Sequence, residues 1–143
     1  MDQNYSNHTR TVPMFHYVLL GGMLLTLIGS LVNLVSAVRS HQGVYSASLI
    51  VMLTLGIQVL AFFSRTFALK AQDRAIRAEE SLRHFVMTGK LPDSRLTIKQ
   101  IIALRFASDG ELVELAKKAA ETGMSRSDIK QAIKNWRADY HRV

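Results

Sequence analysis

The chain has 143 residues, a length that suits one domain or a small domain joined to a membrane anchor. Its 48% of apolar residues is ordinary, but residues 11–38 and 40–64 contain no Asp, Glu, Lys or Arg, and all acids but one lie at or beyond Asp73. The absence of cysteine excludes disulfides, thiolate metal sites and thiol nucleophiles. The sequence therefore divides into an apolar first half with few charges and a charged second half.

Two apolar segments predict a transmembrane hairpin, residues 14–64. The first span, residues 14–38, is uncharged and long enough to cross a hydrocarbon core of roughly 30 Å. The second is expected at residues 45–64, after a short polar turn. A buried hairpin of a soluble protein is disfavoured, because the remaining residues are too few to enclose two such apolar helices. A cleaved signal peptide is disfavoured, because its apolar core spans only about 7–15 residues.

The basic residues predict the orientation of this hairpin. From residue 64 onward there are sixteen Lys and Arg against ten Asp and Glu, whereas the turn carries only Arg39 and the arm 1–13 only Arg10. Bases next to a span remain on the cytoplasmic side, so both termini are expected there. The formal charge of +7 then suits anionic lipid head groups better than nucleic acid, with contacts expected at Arg65 and Lys70.

The second span is expected to continue as a charged cytoplasmic stalk helix, residues 65–89. No Gly or Pro interrupts it before Thr88, and Gly89 suits the residue after a helix end. One apolar stripe runs along the stalk: Phe67, Ala71, Ala75, Ala78, Leu82 and Phe85. We expect this stripe to pack on the chain's own C-terminal helices. The alternative is a seam for self-association or a partner helix, with the closest approach at Ala71, Ala75 and Ala78.

Residues 95–143 predict a small cytoplasmic module of three helices, at 98–107, 109–122 and 126–140. Thr97, Ser108 and Ser125 each stand three residues before a side chain that can complete a capping box. The expected core positions are Ile98, Ile101, Ile102, Phe106, Leu112, Leu115, Ala116, Ala119, Ile129, Ile133, Trp136 and Tyr140.

The last two helices also resemble a DNA-binding helix-turn-helix, with the turn at Gly123. The side chains that would reach the DNA are Arg126, Lys130, Gln131 and Lys134. From Asp109 onward, however, seven bases face six acids, so the positive field on which DNA affinity depends is nearly absent. Nucleic acid is therefore not expected as a partner, and a membrane-tethered DNA reader remains an alternative.

Polar and small residues inside the spans predict helix–helix contacts, within the hairpin or with another subunit. These are Gly22, Thr26, Ser30 and Asn33 in the first span and Gln58 in the second. The five histidines show no metal-ligand spacing, and neither span contains an acid for ion coupling. No catalytic residue, cofactor or metal site is predicted.

The polar N-terminal arm contains further candidate contact residues: Asn4, Tyr5, Asn7, His8 and Arg10. A disordered leader is one interpretation. The favoured one is that the arm folds along the stalk and pairs with groups such as Asp73 or Glu80, since Tyr5, Pro13 and Phe15 give it something to bury.

Four stretches carry a resemblance that covers nearly the whole chain: "NYSNHTRTVPMFH" (4–16), "ALKAQDRAIRAEESLRHF" (68–85), "IIALRFASDGEL" (101–112) and "IKQAIKNWRADYHRV" (129–143). They resemble a family of small bacterial two-span proteins of unknown function. The resemblance implies an inner-membrane protein and brings no activity or ligand.

The expected protein is an all-helical, non-enzymatic membrane protein that presents a cytoplasmic helical platform for protein–protein interaction or assembly. Self-association or a protein partner is expected, and an accessory subunit of a larger membrane complex is the other alternative.

Overall fold

The computed structural model describes residues 3–7 and 11–140. Within these ranges the regular secondary structure is helical, apart from one isolated antiparallel bridge between Ala107 and Trp136. A π-helical turn, Met14–Leu19, leads into α1, Leu20–Ser40, and the later helices are α2, Val44–Thr88; α3, Ile98–Leu104; α4, Asp109–Thr122; and α5, Arg126–Ala132. Two compact units result: Arg10–Phe67, which we call the hairpin unit, and Met1–Thr9 with Ala68–Val143, which we call the C-terminal unit.

The hairpin unit brings α1 against the first part of α2. The turn is closed by His41 in a left-handed conformation, with φ of 53°. Small side chains at seven-residue spacing form the contact: Ser30 and Ala37 on α1, Ala47 and Thr54 on α2, all less than 9% exposed. Small residues at this repeat permit close approach of two helices. Both helices are long and apolar enough to cross a membrane.

The second apolar segment continues into the charged segment as one helix, as the sequence predicts. Helix α2 runs unbroken through Arg65 and ends at Thr88. Gly89 follows with φ of 70°, and its N–H donates to the carbonyl of Phe85 at 2.7 Å. Glycine adopts this conformation without the steric cost that a Cβ would add, which explains the stop at this point.

The C-terminal unit has its core among α3, α4 and α5, where Phe106 and Ile129 are completely enclosed. Two of the three predicted capping boxes form. Thr97 pairs with Gln100, and Ser125 pairs with Asp128. The predicted core positions on α4 (Leu112, Leu115, Ala116 and Ala119) are all buried, whereas Ile98 and Tyr140 are 40% and 62% exposed.

Two of the expected helices are shorter than predicted. Helix α3 ends at Leu104 rather than at residue 107, and α5 ends at Ala132 rather than at residue 140. The predicted capping box between Ser108 and Glu111 is wrong, because Glu111 does not turn back to Ser108. Its carboxylate accepts the backbone N–H groups of Lys134, at 3.0 Å, and Asn135, at 2.8 Å. This contact stabilises an extended segment after α5, which then bridges to Ala107.

Candidate functional site

The apolar stripe of α2 is exposed, and the expectation that it packs on the C-terminal helices is wrong. The face that its own unit covers contains Ile76, Glu80 and Arg83, about 160° around the helix from Ala78. The six members of the stripe are all exposed: Phe67, Ala71, Ala75, Ala78, Leu82 and Phe85. The exposed fractions are 60% for Phe67, 63% for Leu82 and 47% for Phe85. The chain thus leaves an apolar face of α2 uncovered.

Arg83 is the main polar connection between α2 and the rest of the C-terminal unit. Its guanidinium donates to Glu80 at 2.9 Å, to the carbonyl of Ala107 at 2.8 Å and, through Nε, to Asp109 at 2.7 Å. The bonds from Arg83 hold the pKa of the Asp109 carboxyl below its ordinary value. One arginine therefore joins α2, the loop before α4 and the start of α4.

A second group of charges lines a cavity of about 510 Å³ in the same unit. Arg105 pairs with Asp139 at 3.0 Å, and Arg137 approaches Glu80 at 3.6 Å. Since these acids and bases neutralise one another, the arrangement holds the extended C-terminal segment in place. The described residues contain no group of three side chains suited to a metal ion. Of these residues the sequence singles out only Glu80, as a partner for the N-terminal arm, because Arg105, Arg137 and Asp139 are brought together only by the fold.

The described part of the N-terminal arm contacts the far end of the chain, on α5 and the segment after it. The Tyr5 hydroxyl lies 3.0 Å from the Ser127 hydroxyl and accepts from Gln131 at 3.2 Å. These bonds lower the pKa of Tyr5, with the Ser127 bond the larger cause. The Gln3 side chain donates to the Asp139 carbonyl and accepts its N–H at 2.9 Å.

The other arm residues divide into two groups. Asn4 and Asn7 close a local turn, in which the Asn4 N–H donates to the Asn7 side chain at 2.6 Å. His8 and Arg10 lie outside the described residues. The predicted arm partner Glu80 is engaged by Arg83 and Arg137 instead.

The residues proposed to read DNA differ in their exposure. Helix α5 has seven residues, and Lys130 is buried, with its ammonium 5.2 Å from the centre of the Phe106 ring. Arg126, Gln131 and Lys134 are exposed, and Gln131 is bonded to Tyr5.

The polar residues predicted inside the spans separate into two faces. Ser30 is buried in the hairpin contact, and Gln58 crosses it, donating to the Met23 carbonyl at 3.3 Å. Gly22, Thr26 and Asn33 are exposed instead. The Thr26 hydroxyl donates to its own helix, at the Gly22 carbonyl. Within the described ranges the Asn33 carboxamide makes no hydrogen bond.

A groove opens between α1 and α2 beside Arg65. It encloses about 380 Å³, and apolar side chains form most of its wall: Leu20, Met23, Leu24, Ala61 and Phe62. The Arg65 guanidinium stands 5.3 Å from the centre of the Phe15 ring at one end of this groove, and Gln58 stands at the other. The second predicted lipid contact, Lys70, is exposed.

These features define an all-helical chain with two helices long and apolar enough to cross a membrane, followed by a charged C-terminal unit. The chain belongs to the family of unknown function DUF6526, which matches residues 1–143. Comparison with curated proteins and with solved structures gave no significant match.

Proposed function

We propose that this protein is a non-enzymatic, two-span protein of a bacterial inner membrane that presents a cytoplasmic helical surface for protein assembly. The hairpin unit anchors it, and both ends of the chain face the cytoplasm. The interaction surface is the exposed stripe of α2, and its first candidate partner is a second copy of the chain.

Three observations support the membrane location and the orientation of the chain. The most apolar windows of the two long helices are only 11% and 17% buried within the chain, whereas a core helix of a soluble protein is mostly covered. Exposed apolar surface on this scale is typical of a region that contacts lipid or another protein. The concentration of bases after residue 64 favours the cytoplasm for the C-terminal unit. The bonds of Gln3 and Tyr5 to residues beyond the hairpin favour the same side for both flanking segments.

The exposed stripe of α2 is the observation that carries the assembly function. Phe67, Leu82 and Phe85 are exposed, although Ile76 and Glu80 on the opposite face of the same helix are buried. A contiguous apolar surface of this kind is typical of a protein–protein contact. The three alanines between the large residues allow another helix to come close.

The exposed face of α1 supports the same proposal inside the membrane. A carboxamide in hydrocarbon is costly unless it is hydrogen-bonded, and Asn33 has no described partner in its own chain. A neighbouring helix that approached over Gly22 and Thr26 would bring it one. An accessory subunit of a larger complex would use these same faces with a different chain. The buried Lys130 and the engaged Gln131 disfavour the DNA-reading alternative.

Because the chain contains no cysteine, single-cysteine variants test the proposal directly. We expect Ala78→Cys, in the middle of the stripe, to form a disulfide-linked dimer when native membranes are mildly oxidised. The control is Arg77→Cys, which is exposed but turned about 100° away. Equal cross-linking at both positions would indicate random collision. If neither variant cross-links and affinity purification recovers no stoichiometric partner, the assembly function is wrong.

A further inference from the structure

We propose that the groove between α1 and α2 binds one anionic phospholipid, with an acyl chain along the apolar wall and the phosphate at Arg65. This inference rests on the proposed membrane insertion of the hairpin unit and adds a defined ligand site to it.

The position of Arg65 matches the level of lipid phosphates. It is the first charged residue after an uncharged stretch that begins at residue 40. From Val44 at the start of α2 to Arg65 the helix rises by roughly 30 Å, which is the thickness of the hydrocarbon core. A guanidinium at that depth meets the head groups of the inner leaflet.

The groove has the polarity that a lipid molecule needs. From Arg65 to Gln58 its wall extends about 10 Å toward the membrane centre, and five apolar side chains line it. Gln58, at the end nearer the membrane centre, is neutral, and its amide donates to the Met23 carbonyl. One end of the cavity is therefore cationic and complements a phosphate, and the rest is apolar and complements an acyl chain.

The Arg65 side chain is held in place for this contact. Its guanidinium lies 5.3 Å from the Phe15 ring centre, within the range of a cation–π contact. A guanidinium has five N–H donors in a planar fork, a geometry that binds phosphate oxygens in pairs. The exposed bases that follow on α2, Lys70, Arg74 and Arg77, favour a head group with net negative charge.

The charge requirement can be tested on the full chain in detergent micelles by native mass spectrometry, with phosphatidylglycerol and phosphatidylcholine as the added lipids. We expect one tightly bound phosphatidylglycerol and weaker binding of phosphatidylcholine. Arg65→Gln should weaken phosphatidylglycerol binding by about tenfold or more, because it removes a charge-assisted pair of bonds. Arg65→Lys keeps the charge and should lose part of the affinity. Lys70→Gln removes one charge from an exposed position and should change the affinity by less than about twofold.

The apolar wall has its own matched pair of variants. Leu24→Trp places a large ring in the groove, and Leu24 is 58% exposed, so the buried hairpin contact is not altered. We expect this variant to lose the bound lipid although Arg65 is intact. Leu25→Trp, at an adjacent position that is 71% exposed and outside the groove, should retain it.

Three outcomes would overturn the proposal. Equal weakening by Arg65→Gln and Lys70→Gln would mean that only overall charge attracts the lipid. Unchanged lipid binding in Leu24→Trp would mean that the lipid lies elsewhere. A change in oligomeric state of Leu24→Trp without a change in bound lipid would mean that a second chain fills the groove. Alkaline extraction of membranes that contain each variant tests insertion separately, so a chain that is inserted but binds no lipid contradicts this inference alone.

Discussion

Replacing Arg83 with methionine should destabilise the C-terminal unit more than any other single charge removal on α2. The substitution keeps most of the side-chain volume and removes the guanidinium. It deprives the buried Ala107 carbonyl, Asp109 and Glu80 of a donor at once. Because the Glu80 side chain is only 9% exposed, its carboxylate loses its nearest partner in a place that water barely reaches.

The expected loss is about 3 kcal/mol of unfolding free energy. Removing one member of a buried ion pair costs roughly 3–5 kcal/mol, because the remaining charge is left desolvated. Arg137 still stands 3.6 Å from Glu80 and offsets part of that cost, which places the value at the lower end. Adding Glu80→Gln to Arg83→Met removes the stranded charge. The double variant should therefore be less destabilised than the sum of the two single variants, with a coupling of about 1 kcal/mol or more.

The only tryptophan in the chain provides the assay. Trp136 stacks near Phe106, with ring centres 4.9 Å apart, and it bridges to Ala107, where one of the Arg83 bonds ends. Urea unfolding of the full chain in detergent micelles, followed by tryptophan fluorescence, thus reports on the C-terminal unit. Arg95→Met is the control, since its partner Asp93 is two residues away and its side chain is 61% exposed. If Arg83→Met unfolds at the same urea concentration as Arg95→Met, or the two substitutions at 80 and 83 are additive, the reasoning is wrong.

Three other predictions use the same assay or the N-terminal arm. The backbone bond from Lys134, with the bonds from Asn135, holds the pKa of Glu111 below the ordinary value of 4.5. The Glu111 carboxylate therefore stabilises the fold above that pH, and its contribution is lost as the pH falls through the lower pKa of the folded state. The stability difference between the natural chain and Glu111→Gln should therefore be constant from neutral pH to 4.5 and should shrink below it; a difference that grows in acid would contradict this. Gly89→Ala should cost about 1 kcal/mol because alanine is strained at a φ of 70°, whereas Gly110→Ala, in a helix with open space around it, should stabilise by a few tenths of that; equal effects would refute the assignment. Tyr5→Phe should release the arm, seen as faster amide exchange at residues 3–7, while Tyr45→Phe, exposed at the start of α2, should leave it unchanged.

The helix continuity and several caps could be predicted because their causes are local. The absence of Gly and Pro before Thr88 and the glycine that follows it are sufficient to specify a long helix and its end. The Thr97–Gln100 and Ser125–Asp128 boxes lie within four residues. The end of α5 was missed because Glu111, more than twenty residues away, captures the N–H groups of Lys134 and Asn135.

The choice of helix face could not be predicted from apolar periodicity. On α2 the stripe of alanines and phenylalanines is the more hydrophobic face, yet the unit packs on Ile76, Glu80 and Arg83. Arg83 has three acceptors on that face. Two of them, the Ala107 carbonyl and Asp109, are distant in the sequence and come close only in the folded chain. On α1 the neighbouring positions Asn33 and Leu34 differ by about 100°. Asn33 is exposed and Leu34 is half-buried, a difference that composition alone does not predict.

The contact of Gln3 and Tyr5 with residues 127–139 also constrains the order in which the chain folds. Residues 3–7 are synthesised well before the side chains that receive them. The arm is therefore without its binding site until α5 and the segment after it have been translated. During that interval it is an extended segment that chaperones and proteases can reach. Formation of the arm contact is thus a late step in the folding of the C-terminal unit.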